Sequence, residues 1–448
     1  MRKTALILAA TLVASPVFAQ TPSQTPAEPP PAVRAMAAGY KALMVCGAVF
    51  NAREAGAARS LDSIRDNELT GIYAELDPLV REMPMEVGDG VVRVPWGSPL
   101  PDRLAVHTPG RGCAVAPVGA EGLPEREPIA RAVSRDWPTA EPRGDAAALD
   151  AALTGALADA YGNANTTALV VVQDGRLVAE RYAEGFGPDT PQRTWSVAKS
   201  LAGTLIGWAA QRMGGLDVNA PATIPEWSSP GDPRAEITLD DLMRMASGLT
   251  SDTAGNRTDA LYFGGVTIAE QATAWPLIAP PGQVYRYANN DTLLAVHSLR
   301  GFFAENPPAA FFDRLGMVDT TAETDWRGGY MLSSQVWSTA RDLARLGQLY
   351  VQDGVWEGER LLPENWRAYV SAPSGPQPNG RLGYGATFWL MNRSEGIPAD
   401  TIAAQGNRGQ YVVIVPSRRI VVVRRGEDAG GGGFDIARFA RDVLAALE

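Results

Sequence analysis

The sequence predicts an α+β protein in which an antiparallel β-sheet is flanked by helices and carries an inserted all-helical subdomain, with a small N-terminal module in front. Two β-hairpin patterns predict the sheet, one near the start of residues 147–448 and one near the C-terminus. The chain between them is mostly helical or irregular in pattern. Because the strands lie at the two ends of this unit, the simplest topology is one sheet interrupted by a helical insertion.

Length and composition restrict the class of protein. A chain of 448 residues has room for two or three domains, and 45% hydrophobic with 20% charged residues is typical of a soluble globular protein. The formal net charge of −10 argues against a nucleic-acid partner. With only two cysteines and two histidines, most metal sites and a serine–histidine–aspartate triad are hard to assemble. We therefore expect no metal or organic cofactor.

The N-terminus has the pattern of an export signal. Residues 1–19 combine a basic start, an apolar run and small residues before a cleavage position, as in a signal peptide. Residues 20–33 are rich in proline and predict an extended linker. Because no later stretch approaches the length of a spanning helix, no membrane span is expected. The mature protein is expected to be periplasmic or secreted.

Residues 34–135 are predicted to form a separate N-terminal module. Helical patterns cover residues 35–50 and 61–79, and VVRVPW (91–96) is typical of a strand. Cys46 and Cys113 are the only cysteines, and in an oxidising compartment a disulfide between them is favoured over two free thiols. Residues 136–145 are a plausible boundary to the next domain.

The strands and helices of residues 147–448 follow from local pattern. TALVVVQ and RLVAERY flank Asp174-Gly175, a favoured two-residue turn, and QYVVIV and IVVVRR flank PSRR. Both hairpins are apolar enough to be central in a covered sheet. The helical patterns are listed here: Ser196–Met213, Leu239–Met245, Thr339–Leu349 and Phe434–Leu447.

Ser196 and Lys199 form the first candidate for chemistry. Of the 40 basic residues only Lys3, Lys41 and Lys199 are lysines, so Lys199 is the only one in residues 147–448. A desolvated lysine can lose its proton, and residues three apart on a helix share one face, so Lys199 could activate the Ser196 hydroxyl as a nucleophile. The alternative is a capping serine beside a surface lysine. The apolar sequence around the pair argues against that alternative.

Tyr287 and Asn289 form the second candidate, within PPGQVYRYANND. A phenol beside a cationic lysine can ionise below its usual pKa, so Tyr287 could relay protons, and Asn289 could orient Lys199 or the substrate. Tyr285 is a rival for the role of Tyr287. His107 lies in the N-terminal module and His297 in an apolar segment, and neither is expected to serve Ser196.

These motifs resemble the serine β-lactamase and penicillin-binding superfamily, in particular the class C β-lactamase-like branch with 6-aminohexanoate-dimer hydrolases and related esterases. The resemblance rests on Ser196-Val197-Ala198-Lys199 and on four further blocks: ITLDDLMRMASGL (237–249), PPGQVYRYANND (280–291), STARDLARLGQLYVQDGVW (338–356) and GNRGQYVVIVP (406–416). It implies Ser196 as nucleophile, Lys199 and Tyr287 as acid and base, and the β-lactamase-like fold.

The third motif of that superfamily departs from its usual form. Relatives carry Lys-Thr-Gly, or histidine in place of the lysine, on the strand beside the active site, whereas no lysine follows Lys199 here. The nearest match places Asn407 at that position, and Arg408 could replace the missing charge. The resemblance thus implies substrate contacts from Asn289, Asn407, Arg408 and Gln410, and it favours an esterase or amidase over a true β-lactamase.

The sequence therefore predicts a secreted serine hydrolase that cleaves a small-molecule ester or amide through an acyl-serine intermediate. One alternative is a periplasmic penicillin-binding-type receptor that is acylated without turnover. Another is a scaffold whose activity has decayed.

Overall fold

The computed structural model describes residues 28–71, 76–133, 136–251, 260–429 and 433–447. The expected signal peptide, residues 1–19, lies outside these ranges, as do residues 20–27 of the expected linker. The first helix begins at Pro31, earlier than the expected end of the linker at residue 33. Proline suits this position because its fixed φ matches the first turn of a helix.

The helices are named in chain order: α1 (Pro31–Glu54), α2 (Leu61–Asn67), α3 (Asp77–Glu82), α4 (Ala146–Leu157), α5 (Val197–Met213), α6 (Leu239–Met243), α7 (Ile268–Gln271), α8 (Asn289–Ser298), α9 (Arg300–Glu305), α10 (Pro308–Leu315), α11 (Ala340–Val351), α12 (Trp366–Ser371) and α13 (Ile436–Ala446). The strands are β1 (Glu86–Val87), β2 (Val91–Val94), β3 (Arg103–Thr108), β4 (Gly112–Val115), β5 (Thr166–Gln173), β6 (Arg176–Tyr182), β7 (Gln192–Arg193), β8 (Thr321–Ala322), β9 (Val336–Ser338), β10 (Val355–Trp356), β11 (Glu359–Arg360), β12 (Gly383–Tyr384), β13 (Trp389–Leu390), β14 (Ile402–Gly406), β15 (Gln410–Val415) and β16 (Ile420–Gly426).

A seven-stranded antiparallel sheet, in the order β12-β13-β14-β15-β16-β5-β6, is the centre of the fold. Both predicted hairpins are confirmed: β5 pairs with β6 and β15 with β16. Asp174 and Gly175 both have positive φ, 51° and 77°, as a tight two-residue hairpin turn requires. The two hairpins meet where β16 pairs with β5, so segments from the two ends of residues 147–448 become neighbours.

The position of the first hairpin differs in part from expectation. Every residue of β5 is buried, as expected of a central strand, but β6 is the last strand of the sheet and most of its residues are partly or fully exposed. Polar residues within RLVAERY, such as Arg176 and Glu180, suit such an edge because they discourage pairing with another chain. The prediction that both hairpins are central was wrong for β6.

Helices cover both faces of this sheet. Alternate residues of β5 divide between them: Leu169 and Val171 pack in a core with α4 and α13, whereas Val170 and Val172 pack in the core that holds α5 and α11. This two-residue period is what a strand buried on both faces requires. The predicted arrangement of a sheet between helices is therefore confirmed.

Helices α6 to α10 form the insertion, which lies in the chain between α5 and β8. β8 belongs to a small three-stranded sheet in the order β7-β9-β8. The predicted helices at 196–213, 239–245, 339–349 and 434–447 correspond to α5, α6, α11 and α13, with bounds that differ by at most two residues. The sequence pattern thus located four helices, including α5, which follows the candidate serine.

The N-terminal segment consists of α1 to α3 and a four-stranded antiparallel sheet, β1 to β4. The helix predicted over residues 61–79 is two helices in the structure, α2 and α3. Cys46 on α1 and Cys113 on β4 are joined by a disulfide. Gly47 lies so close to Trp337 of the following unit that an added Cβ would sit 2.6 Å from its ring.

The N-terminal segment shares its hydrophobic core with the rest of the chain. Buried residues of α1, β2 and β4 belong to the same apolar cluster as those of α5, α8 and α11. The residues predicted as a separate module therefore share buried apolar contacts with the rest of the described chain.

Helix α1 is apolar enough and long enough to cross a membrane, which the sequence analysis did not anticipate. In the structure 83% of its most apolar window is buried inside the protein. A core helix of a soluble protein has the same property, and the contacts of α1 with β3, β4 and residues 260–264 place it in the core.

Candidate active site

Ser196 immediately precedes the first residue of α5, in the crevice between the sheet and the helical insertion. Trp195 before it has φ of 49°, a left-handed conformation uncommon outside glycine, which turns the chain sharply into the helix. The Ser196 hydroxyl makes no capping hydrogen bond to the helix backbone. The alternative of a capping serine is thus not what the structure shows, and the hydroxyl is left for other partners.

Lys199 lies one helical turn after Ser196 and is 1% exposed. Its Nζ lies 3.1 Å from Ser196 Oγ, 2.5 Å from Asn289 Oδ1 and 2.9 Å from the Ser333 carbonyl oxygen. The last two atoms can only accept hydrogen bonds. A neutral amine in this position would give its two protons to Asn289 and Ser333 and keep its lone pair for the Ser196 hydroxyl.

Tyr287 also contacts Ser196, with which its side chain shares a hydrogen bond. Burial raises the pKa of Tyr287 to about 12, and hydrogen bonds with Ser196 and Trp389 oppose this shift. The expectation that this phenol ionises below its usual pKa was wrong, because loss of hydration exceeds the opposing effects. The ring centroid lies 5.0 Å from Lys199 Nζ.

Tyr285, the rival of Tyr287, occupies a different place. Its hydroxyl is buried and has no hydrogen-bond partner among the described residues, and burial raises its pKa. Its ring packs edge-on against Tyr384 at 5.6 Å, and Tyr384 in turn lies 5.9 Å from Tyr287. Of the two tyrosines, it is Tyr287 that reaches Ser196.

Strand β14 runs directly past the backbone of Ser196. A Cβ on Gly406 would lie 3.1 Å from Ser196 N and 2.5 Å from the Thr194 carbonyl oxygen. Sequence reasoning missed the significance of Gly406, although glycine within a strand is a signal of close backbone approach. It also missed Ser333, which contributes only its carbonyl oxygen to Lys199 and so leaves no side-chain signal.

Successive N–H groups of β14 point to opposite sides of the strand, toward β13 or toward β15. Leu390 pairs with Ile402, and the Met391 N–H donates to the Thr401 carbonyl, so odd-numbered residues of β14 direct their N–H groups to the β13 side. Gln405 has this parity and lies beyond Ala403, the last residue that pairs with β13. Its N–H is therefore directed away from β15, and the next residue, Gly406, lies against the backbone of Ser196.

The other predicted substrate contacts are placed differently. Arg408 is buried and donates to the carbonyl oxygens of Asn67 and Thr70 in the N-terminal segment. Gln410 is fully buried and accepts a 2.6 Å hydrogen bond from Arg425. Asn407 is exposed, and its Oδ1 accepts from the Arg408 N–H at 2.9 Å. The structure thus brings Asn289, but not Arg408 or Gln410, to Lys199.

Both histidines lie outside this cluster. His107 is near Glu54, with 3.3 Å between Nε2 and the carboxylate, and stacks on Phe50. His297 is near Glu226 at 3.4 Å. Within the described ranges, no group of three or more His, Cys, Asp or Glu residues is arranged to hold a metal ion. The side chains described around Ser196 are the amine of Lys199, the phenol of Tyr287 and the amide of Asn289.

Comparisons with known proteins show which family the chain resembles. The sequence model of the family described as Beta-lactamase matches residues 154–446. A 6-aminohexanoate-dimer hydrolase of Paenarthrobacter ureafaciens is 26% identical over 297 residues, which are 58% of this chain and 72% of that protein.

Solved structures show the same fold. A protein from Bacillus anthracis assigned as a 6-aminohexanoate-dimer hydrolase superposes with a TM-score of 0.56 at 24% identity, over 69% of this chain and 86% of that one. A penicillin-binding protein homologue from Caulobacter crescentus superposes with a TM-score of 0.52 at 18% identity, over 67% and 96%. The family match covers most of the chain and includes Ser196, Lys199 and Tyr287, so the chain belongs to the β-lactamase family of serine hydrolases.

Proposed function

We propose that this protein hydrolyses a small-molecule ester or amide through an acyl-enzyme formed on Ser196. The observation that carries the proposal is the setting of Lys199, whose buried Nζ lies 3.1 Å from Ser196 Oγ while two acceptor-only oxygens fix its orientation. This arrangement suits an amine that removes a proton from the serine hydroxyl.

In the first half of the reaction, Ser196 Oγ attacks the carbonyl carbon and its proton passes to Lys199. The carbonyl oxygen becomes an oxyanion, for which the N–H groups of Ser196 and Gln405 are the proposed donors. When the tetrahedral intermediate collapses, the bond to the leaving group breaks and that group takes a proton. Tyr287 is the proposed donor, since its pKa of about 12 keeps the phenol protonated near neutral pH.

Before the second half, the Lys199 ammonium returns its proton to the Tyr287 phenolate, so both groups are neutral again. Water then attacks the acyl-serine carbonyl and gives a proton to Lys199. The Ser196–acyl bond breaks, Ser196 Oγ takes that proton from Lys199, and a carboxylic acid is released. Each step uses groups within the Ser196 cluster and needs no redox partner.

The position of Arg408 favours an ester or a linear amide over a β-lactam as the substrate. In the superfamily that the sequence resembles, the third motif helps to hold the β-lactam carboxylate, and Arg408 was the candidate replacement. Its guanidinium instead donates to carbonyl oxygens of the N-terminal segment. The 26% identical relative is named for an amide substrate, the 6-aminohexanoate dimer, which supports the amide part of the proposal.

We also propose that the protein is exported from the cytoplasm. Residues 1–19 have the composition of a signal peptide, and the Cys46–Cys113 disulfide is a bond that persists in oxidising compartments.

The test is a kinetic panel on the chain that starts at Gln20. Initial rates are measured with p-nitrophenyl esters, a chromogenic cephalosporin, D-amino-acid amides and linear aminohexanoate oligomers, and intact mass is recorded during turnover. We expect rapid product release with an ester or linear amide and slow or no hydrolysis of the cephalosporin.

The Ser196→Ala variant should lose this activity, and Ser298→Ala, a serine whose hydroxyl only donates to the Ala295 carbonyl on α8, should retain it. Stable acylation of Ser196 without product would instead indicate the penicillin-binding-type receptor. Absence of both acylation and product would indicate a decayed scaffold.

A further inference from the structure

A cavity of about 390 Å³ lies between the N-terminal segment and the helical insertion. Ser196, Lys199, Tyr287 and Asn289 do not line it. Val296 on α8 does, and it follows Asn289 by seven residues, which is ~10 Å along a helix. The volume falls in the range of small-molecule pockets, so the cavity can hold a ligand distinct from the substrate at Ser196.

The wall of the cavity formed by the insertion is apolar. Ile268, Val296 and Phe303 are each 2–3% exposed, and Ala304 and Pro307 continue this surface. Such a wall favours a ligand with an aliphatic body, because burial of methylene groups against apolar side chains is favourable.

Two half-buried arginines of the N-terminal segment line the opposite side. Arg126 donates to Thr324 Oγ1 at 2.8 Å, and Arg111 donates to the Glu127 carbonyl at 2.6 Å. Neither is within salt-bridge distance of a carboxylate of the described ranges, although the charge of Asp325 acts on Arg126. Burial and the positive charge of Arg111 lower the pKa of Arg126, whereas Tyr330 and Asp325 act in the opposite direction.

Tyr330 lies with these two arginines. Burial raises the pKa of its hydroxyl, and the charges of Arg111 and Arg126 act in the opposite direction. Tyr330, Arg111 and Arg126 all line the cavity. This is a set of donors suited to a carboxylate, which accepts several hydrogen bonds at once.

Two further arginines, Arg300 and Arg327, stand at the exposed rim. Arg300 donates to the His297 carbonyl at 3.1 Å, and the guanidinium of Arg327 lies over the Trp326 ring at 4.6 Å. Four guanidinium groups thus surround one cavity in a chain whose formal net charge is −10. Such local positive potential attracts anions.

The cavity also contains two carboxylates, and both already have partners. Asp325 accepts hydrogen bonds from the N–H groups of Ile268, Arg327 and Gly329 at 2.8–2.9 Å. Glu270 accepts from the N–H and the hydroxyl of Thr267, both at 2.9 Å, in a helix cap. Their oxygens cap backbone amides, and within the described ranges no hydrogen bond joins either acid to Arg111 or Arg126, although Asp325 partly offsets the charge of Arg126.

We propose that this cavity is a binding site for a small amphiphilic carboxylate. Its carboxylate is held by Arg111, Arg126 and the Tyr330 hydroxyl, and its aliphatic chain lies against Ile268, Val296 and Phe303. The site is separate from Ser196, and it does not depend on the proposed hydrolase chemistry.

The test is calorimetric titration of octanoate into the Ser196→Ala variant of the chain from Gln20, with 1-octanol and octylammonium as matched neutral and cationic probes. We expect saturable binding of one octanoate per chain, and binding of the other two at least tenfold weaker. Absence of saturable octanoate binding, or equal binding of 1-octanol, would overturn the proposal.

Two variants locate the site. Arg126→Gln and Arg111→Gln should each weaken octanoate binding at least tenfold, whereas Arg143→Gln, which removes an exposed arginine beside Asp174, should leave it unchanged. Thermal unfolding of each variant verifies that it is folded. Arg111→Gln serves as the main variant if loss of the Thr324 contact unfolds Arg126→Gln. Unchanged affinity in folded Arg111→Gln and Arg126→Gln would show that octanoate binds elsewhere and contradict the proposal.

Discussion

Asn289 Oδ1 lies 2.5 Å from Lys199 Nζ, although the two residues are 90 positions apart in the sequence. Asn289 is the first residue of α8 and lies two residues after Tyr287. The start of this helix therefore places both an acceptor and a phenol against α5. The orientation of the Lys199 amine depends on a contact between the insertion and the helix that carries the serine.

Replacing Asn289 should affect turnover more than binding. In Asn289→Ala the amine loses an acceptor-only partner that helps to direct its lone pair at Ser196 Oγ, so we expect kcat to fall about 10- to 100-fold with a small change in KM. Ester hydrolysis measures this. The exposed Asn219→Ala is the matched control, and a change confined to KM would contradict this role.

Asn289→Asp tests the same contact by charge. A carboxylate at this position stabilises the ammonium form of Lys199, so we expect activity to rise only at higher pH than in the unchanged protein. The pH dependence of kcat/KM measures the shift. A shift toward lower pH would be inconsistent with Lys199 as the base.

Ser196 and Lys199 should behave as one functional unit. Ser196→Ala and Lys199→Ala should each lower kcat/KM at least about a thousandfold, and the double variant should be little worse than either, because removing one group makes the other useless. Steady-state kinetics with an activated ester and intact mass after substrate addition measure this. Additive losses, or near-normal turnover in Ser196→Ala, would contradict the acyl-serine mechanism.

Tyr287 should act as a neutral phenol throughout the usual assay range. Since burial raises its pKa to about 12, its ionisation should cause no loss of activity between pH 8 and pH 10. Tyr287→Phe should lower kcat about 100-fold at every pH in that range. Tyr285→Phe, which removes a buried hydroxyl without a described partner, is the control and should stay within about threefold. Equal losses in the two variants would contradict the assignment.

Asp342 should make the protein less stable as pH rises. Burial and the nearby Asp319 raise the pKa of Asp342 from 3.8 to about 7 in the folded state. The folded state therefore binds more protons than the unfolded state between pH 4 and pH 7, and the free energy of unfolding falls across that interval. Asp342→Asn should remove about 1–3 kcal/mol of this fall.

Urea unfolding at pH 4.5 and pH 8 measures the difference, with the exposed Asp150→Asn as control. An equal pH dependence in Asp342→Asn and the unchanged protein would show that Asp342 is not protonated in the folded state at low pH.

The Cys46–Cys113 disulfide should stabilise the whole protein and not only the N-terminal segment, because α1 is part of the common core. The Cys46→Ala, Cys113→Ala double variant should lose about 2–4 kcal/mol of unfolding free energy. Thermal unfolding followed by tryptophan fluorescence measures this. A separate low-temperature transition for residues 31–115 alone would contradict the single core.

The strands and helices near Ser196 could be predicted because their signals are local. The Asp174-Gly175 turn and the apolar run of α5 depend on neighbours in sequence, and both were located within two residues. The placement of α1 could not be predicted, because its burial comes from partners such as Trp337 that are hundreds of residues away. The exposure of β6 depends likewise on its position at the end of the sheet.

The parts of the candidate site that could be predicted are those that need a particular side chain. The scarcity of lysine indicated Lys199, although Lys41 is also buried and donates to the carbonyls of Arg81 and Met83. The Ser333 carbonyl and the Gln405 N–H are backbone groups, which any residue could supply. The direction of Arg408 depends on tertiary contacts, so its charge alone suggested a role that its position does not support.

The hydrophobic core and the match to the family do not begin at the same residue. The match to the family begins at residue 154, whereas the buried apolar residues begin at Ala35 on α1. A fragment cut at the homology boundary would expose the Trp337 side of the protein to water and would tend to aggregate. A fragment for expression, recombination or fusion must therefore include α1 as well as the residues that match the family.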